Sequence, residues 1–248
     1  DLGGLIGRRG ETLDAIQQLT GYAVNHGQSK RVRIHIDAEG YRAKREESLQ
    51  RLAVKVAGKV VKYRKNMTLE AMNAELRFFS PIHDEKVPGE ADGLYLGGGY
   101  PELYAAQLEA NHTLRRQLRE AVHAGMPCIA ECGGFMYLTQ SIAGHTMAGA
   151  LPGDCFDTGK LTRFGYITAT AQEDSLLCRA GEQVPMHEFH HWDTPQPGGA
   201  FLAEKPSGKQ WRCAYATDTL YAGFPHFHFY AKPVMAQRFL TACRKEML

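Results

Sequence analysis

The 248-residue sequence has no run approaching the roughly 18 apolar residues of a membrane span, and its N-terminus lacks the basic-then-apolar pattern of a signal peptide. No cysteine precedes residue 128. The six present, at 128, 132, 155, 178, 213 and 243, never take the paired two-residue spacing of a zinc site, so no metal site is expected. At this length and density they do not form a disulfide framework either. These absences point to a protein of the reducing cytoplasm with no membrane partner. What is there, 44% hydrophobic and 23% charged residues, describes an ordinary globular protein. The first residue is Asp rather than Met and a glycine-rich turn follows at once, so the sequence is expected to open inside a domain.

The formal net charge of +2 conceals two unlike halves. Residues 1–74 carry 14 Lys and Arg against 8 Asp and Glu, whereas the remainder carries 15 against 19. A domain takes about 100 to 200 residues, so length allows one large domain or two small ones, and the charge asymmetry favours two.

In the basic half, Gly3, Gly4 and the run Leu5, Ile6, Gly7, Arg8, Arg9, Gly10 precede a segment with Leu13, Ile16, Leu19 and Val24 at helical spacing. Arg31 to Asp37 alternates, with Val32, Ile34 and Ile36 on one face, which predicts a half-buried strand. From Tyr41 to about Lys62 a long helix places Leu49, Leu52, Val56 and Val60 on one stripe and leaves its other sides basic. A Gly-x-x-Gly loop between helices lets backbone approach a nucleic-acid strand, and its two arginines supply charge for phosphates. Taken alone, such a loop is also read as a tight turn with solvated arginines.

The runs LIGRRGETLDAIQQLT, RVRIHID and EGYRAKREESLQRLAVKVAGKV together resemble the KH domain of the bacterial Jag (SpoIIIJ-associated) RNA-binding proteins, with similarity to about Asn73. The resemblance implies a small α+β module over residues 1–73 whose clamping loop is Gly7, Arg8, Arg9 and Gly10, with single-stranded RNA as partner. The family's strand before this loop is absent here, so the module is expected to be truncated.

The larger half reads differently. ADGLYLGGGYPELYAAQL is a short apolar strand entering three glycines and then a helix opened by Pro101 and Glu102. The plan repeats: a helix from about Ala105 to Ala124, a buried strand from Pro127 to Ala130, and a tight turn Glu131, Cys132, Gly133, Gly134 into another helix. Cys132 would sit at the elbow, where a side chain is exposed at the C-terminal edge of the sheet and the N-terminus of the following helix favours the thiolate. A cysteine in an apolar strand is ordinarily buried filler, the reading given to Cys128. Small residues after Cys132 let a substrate carbonyl approach, with the N–H of Gly133 and one from the Gly97, Gly98, Gly99 loop directed at its oxygen.

Two histidine clusters could supply a base. Met186 to His191 and Phe224 to Phe229 both alternate, so both read as strands with their histidines on one face. Metal binding is the rival reading, and no carboxylate or cysteine completes a usual ligand set. A final helix is expected from about Pro233 to Glu246.

The blocks RFFSPIHDEKVPGEADGLYLGGGYPELYAAQLEAN, MPCIAECGGFMYL, GALPG, RFGYITATAQEDSLL, HEFHHW and FPHFHFYAKPVMAQRFLTAC look like the C-terminal glutaminase domain of cobyrinic acid a,c-diamide synthase, across about residues 75–248. The resemblance implies a doubly wound α/β glutamine amidotransferase domain. It makes Cys132 the nucleophile, His226 the histidine that activates it, and Gly98, Gly99 and Gly133 the oxyanion hole. Glutamine is then the substrate, and ammonia passes to a synthetase domain that uses ATP and magnesium to amidate corrin carboxylates. That domain is absent from the sequence and is expected in trans or not at all. The nearest approach to a phosphate-binding loop, Gly153 to Leu161, has one residue too many and ends in Leu, so no cofactor is expected on this chain. The alternative function is an RNA-binding KH protein carrying a catalytically silent α/β domain.

Overall fold

A computed structural model describes residues 3–6, 11–26, 32, 34–38, 40–41 and 68–245. The chain forms two compact units, Asp1–Ala57 and Gly58–Leu248. Among the described residues no helix is long and apolar enough to cross a membrane.

In the first unit α1 (Gly3–Ile6) and α2 (Glu11–Asn25) stand on either side of the Gly7–Gly10 segment. That loop, and the helix expected from Tyr41 to Lys62 beyond its first residue, lie outside the described residues. Of the apolar stripe on α2, Leu13 is buried and Ile16 half-buried, while Leu19 and Val24 are exposed. The strand expected at Arg31–Asp37 is corrected: its described residues, Val32 and 34–37, join no ladder among the described residues. Side-chain amides satisfy this backbone instead. Asn25 accepts from the Val32 N–H at 2.6 Å and donates to its carbonyl at 3.0 Å, and Gln17 accepts from the Ile36 N–H at 3.2 Å. The segment is thereby tied to α2 rather than to a sheet.

The second unit is built on a four-stranded sheet of order β1-β2-β12-β11. β1 (Leu94–Leu96), β2 (Cys128–Glu131) and β12 (Leu220–Gly223) are parallel, and β11 (Tyr215–Ala216) runs antiparallel along β12. The register aligns Leu94 with Cys128 and Leu220, and Leu96 with Ala130 and Ala222. Strand alternation sends these six to one face, where they pack with Leu108, Leu114, Leu118 and Phe135. These come from α3 (Ala105–Ala110), α4 (His112–His123) and α5 (Gly133–Leu138). The single helix expected over 105–124 is thus two. Asn111 interrupts it by accepting from the Leu114 N–H at 3.2 Å while its amide donates to the carbonyls of Pro81 and Asp84. It caps α4 and ties down the preceding loop.

The opposite face, through Ile129 and Tyr221, packs against Met235, Ala236 and Phe239 of α6 (Val234–Lys245) and against a second sheet. That sheet is antiparallel, of order β10-β9-β6-β7-β13, comprising β6 (Arg163–Ala171), β7 (Gln183–His190), β9 (Phe201–Glu204), β10 (Gln210–Cys213) and β13 (His226–Phe227). The doubly wound expectation is therefore corrected. Helices α3, α4 and α5 cover one face together with Ile142, Met147 and Cys155 from non-helical segments, and α6 with an antiparallel sheet covers the other, where residues 163–213 carry strand periodicity rather than the period near 3.6 of a helical layer. A small outlying sheet, β4-β3-β5-β8, joins β3 (Ser141–Ile142), β4 (His145–Thr146), β5 (Asp154–Asp157) and β8 (Trp192–Asp193). Leu69, on a helical turn at 68–71 ahead of the 73/75 boundary read from sequence, is buried in the core of this second unit, with Met72 and Ala74 packed alongside.

Candidate active site

β2 is apolar and wholly buried up to its last residue, and the chain then reverses at Cys132, whose φ is 48°. A side chain with positive φ is strained and is held there by its surroundings. The Cys132 N–H donates to the Gly223 carbonyl at 2.8 Å, and its carbonyl accepts the Met136 N–H at 2.9 Å as α5 begins. The two glycines that follow are required by close approach. A Cβ on Gly134 would lie 2.2 Å from the Leu96 carbonyl oxygen, and one on Gly133 2.7 Å from that of Gly99. The loop after β1 is thus pressed onto the elbow after β2, as expected of neighbouring parallel strands.

His226 arrives by a different route. β12 is paired with β2 so that Gly223 stands level with Glu131. Just beyond it, Phe224 and Pro225 carry the chain out of the parallel sheet and His226 joins the antiparallel one, opposite His187 of β7. Residues immediately past the ends of two paired parallel strands are neighbours, and the imidazole comes to rest on the elbow. A Cβ on Gly98 would meet its Cε1 at 2.7 Å, whereas one on Gly99 would meet nothing within 4 Å. Burial alone would pull the imidazole down, but interaction with the Cys132 sulfur and with the Glu131 carboxylate outweighs it and holds its pKa at about 10.

The residues singled out from sequence therefore converge: Cys132, His226, Gly98, Gly99 and Gly133 surround one point at the C-terminal edge of β1 and β2. Gly7, Arg8, Arg9 and Gly10 lie outside the described residues. Cys128 is fully buried, and burial pushes its thiol up to about 12. Of the six cysteines only Cys132 is not buried.

The histidine strands need one correction. His187 and His190 are three residues apart on β7 and lie on opposite faces, His187 half-exposed and His190 buried and stacked on Phe224 with ring centroids 4.1 Å apart. His190 Nδ1 contacts the Trp192 carbonyl at 2.6 Å. Among the described residues no group of three or more His, Cys, Asp or Glu could hold a metal ion. Gly153 to Leu161 contains β5 and leads into β6 rather than into a helix, so it lacks the form of a phosphate cradle.

Sequence reasoning missed two groups. Glu131 is fully buried and faces His226, and Tyr100 stands close enough to Cys132 that burial and then the cysteine's charge raise its phenol. Proximity of Glu131 to Cys132 in the chain was visible. Its meeting with the imidazole was not, because adjacent strand residues normally point to opposite faces.

An α/β unit with a cysteine elbow, a facing glycine loop and a histidine beside it is the class defined so far. The chain belongs to the family of CobB/CobQ-like glutamine amidotransferase domains, whose profile matches residues 52–234. It is 37% identical over 184 residues to the cobyrinate a,c-diamide synthase of Caldanaerobacter subterraneus subsp. tengcongensis, covering 71% of this chain and 41% of that protein. It is 38% identical over 187 residues to the synthase of the same name from Salmonella typhimurium, covering 71% and 40%. The chain thus spans about two fifths of the length of the curated relatives it matches. Its fold is shared with a provisionally assigned GMP synthase component from Thermoplasma acidophilum, 14% identical with a TM-score of 0.50, over 75% of this chain and 89% of that one.

Proposed function

We propose that the second unit is a glutaminase and that Cys132 is its nucleophile. The observation that carries this reading is the contact of the His226 imidazole with the sulfur of the strained elbow. An imidazole that keeps its proton up to about pH 10 accepts the thiol proton and retains it through neutral pH. The sulfur attacks the side-chain carboxamide carbon of glutamine. The resulting oxyanion is held by the N–H of Gly133, which as a first-turn donor has no helical partner, and by those of Gly98 and Gly99. The C–N bond breaks as His226 returns its proton to the departing ammonia, leaving a γ-glutamyl thioester. Water then attacks the thioester, His226 takes its proton, and glutamate leaves as the thiol is restored.

The ammonia serves a synthetase domain, supplied by another chain or by sequence beyond this one, that amidates the a and c carboxylates of cobyrinate. ATP and magnesium belong to that domain. The names of the curated relatives support this assignment. The first unit is read as a KH-like module for single-stranded RNA, supported by the basic Gly7–Gly10 sequence between α1 and α2. The protein is placed in the cytoplasm.

A diazoketone analogue of glutamine tests the central claim. It should label one cysteine per chain, and peptide mapping should find the label on Cys132 and none in Cys132→Ala. Label spread over several cysteines, or none in the wild type, would refute the glutaminase reading. For the first unit, binding to single-stranded RNA should weaken in the Arg8→Ala, Arg9→Ala double variant and fall steeply with salt.

A further inference from the structure

The strand that presents the thiol also presents a carboxylate. Glu131, the last residue of β2, is fully buried, and both of its oxygens are engaged. Oε2 accepts the Tyr95 hydroxyl at 2.6 Å and Oε1 accepts the backbone N–H of Phe227 at 3.1 Å. The two partners hold it from different elements, Tyr95 from β1 and Phe227 from β13. The second tie is also the backbone link next to His226. On the ring itself, Nδ1 lies 3.7 Å from Glu131 Oε2, a charge contact rather than a full hydrogen bond.

The groups around the imidazole come from every element packed on it. Cys132 approaches from the elbow, Glu131 from β2, Gly98 backbone from the loop after β1, and His187 from β7 in direct register. Of these only Glu131 and, as a thiolate, Cys132 can carry negative charge. His187 opposes them, and burial together with the positive charge of His226 lowers its own pKa. A buried carboxylate is costly unless it is hydrogen-bonded and faces a cation. Tyr95 and Phe227 supply hydrogen bonds, and His226 supplies a cation when it is protonated.

We propose that Glu131 is the positioning residue for His226. Its carboxylate keeps the imidazole proton on Nδ1, leaves Nε2 to exchange a proton with the thiol, and stabilises the imidazolium that forms. This inference rests on the glutaminase reading for its catalytic meaning. The sequence motif of the elbow thereby acquires a second function. In Glu131-Cys132 one residue would activate the base and the next would be the nucleophile, and the reversal at Cys132 makes this possible by bringing two adjacent side chains to one imidazole.

The rival is a purely structural Glu131 that anchors Tyr95 and β13. Glu131→Gln separates the two, because the amide is the same shape and keeps an acceptor for the Phe227 N–H while losing the charge. The first readout is the titration of the His226 imidazole nitrogens by NMR, which needs no turnover. Loss of an anion at this distance should lower the midpoint by about 1 to 3 pH units. Glutamine hydrolysis is the second. There kcat should fall about 10-fold or more with KM little changed, and the alkaline limb of the rate profile should move down with the titration midpoint. Glu131→Asp, which keeps the charge but withdraws it by one methylene, should shift the midpoint less and in the same direction. It also serves if the amide variant does not fold. An unmoved His226 midpoint in a folded variant overturns the proposal, even if activity drops. Failure of the wild type to label at Cys132 is a separate outcome that would sink the glutaminase reading without touching the titration.

Discussion

β2 carries a cysteine at its first position and another just past its last, and the two ends could hardly differ more in chemistry. Cys128 points into the apolar face shared with α3, α4 and α5, is fully buried, and is held as a thiol up to about pH 12 by desolvation. Cys132 sits on a positive-φ reversal, half-exposed, in contact with an imidazole and beside a glycine loop. The difference teaches that the two environments are set by the backbone's change of direction and not by the residue type. The same side chain four residues upstream, on a regular strand, has nothing to ionise against.

The largest test of this contrast exchanges the two ends. Cys132→Ala should lower glutamine hydrolysis by on the order of 10⁴-fold or more, while Cys128→Ala should hydrolyse at the wild-type rate in steady-state assays. Equal losses in both would mean that the strand as a whole, and not its elbow, matters. Next, Gly134→Ala drives a Cβ to 2.2 Å from the Leu96 backbone carbonyl oxygen, which cannot swing aside as a side chain would, and should destabilise the unit by about 3 kcal/mol or more in chemical denaturation. A near-neutral result would show that the elbow can open.

A third test uses pH. Cys128 and Cys213 are pushed up to about 12, and Cys155 and Cys178 to about 11, each by burial first. In the unfolded chain these thiols ionise near pH 9, so above that pH the unfolded state binds fewer protons than the folded one. Stability is then fully present below about pH 9 and is lost as pH rises towards the folded values, at up to about 1.4 kcal/mol per pH unit for each thiol. Denaturant midpoints between pH 8 and 11 should fall, and Cys128→Ala should lessen the slope by one thiol's share. The smallest effect is the cost of Cys128→Ala at neutral pH, about 1 kcal/mol for the buried sulfur it removes, read from the same curves.

The geometry of the candidate site was largely legible because its parts are local. A buried strand, an abrupt turn and two glycines identify an elbow whatever lies around them, and Gly97 to Gly99 after β1 repeats that signal. His226 was legible as one of two candidate clusters, and resemblance chose between them. Glu131 was not, since no one-dimensional pattern distinguishes an acid that ends a strand in contact with an imidazole from one that ends it in solvent. The second layer of the fold was misread for a related reason. Alternating segments announce strands, but nothing in their spacing says that they form a separate antiparallel sheet lying on the parallel one. In the basic unit the alternation at 34–37 survives as alternating exposure, yet the described backbone is held by Gln17 and Asn25 amides. Periodicity reports which side chains turn inward, and a ladder needs a neighbour as well.

What the sequence settled by itself is the set of local geometries: where the chain must bend, which bends only glycine can fill, and which strands are buried on both faces. What the tertiary structure alone decided is which of those bends meet. Gly223 is level with Glu131 because β12 pairs with β2 in that register, and the hydrogen bonds of the ladder transmit the alignment to the residues just beyond it. Register is a relation between distant segments, fixed by packing on both faces of the sheet at once, and no single segment contains it.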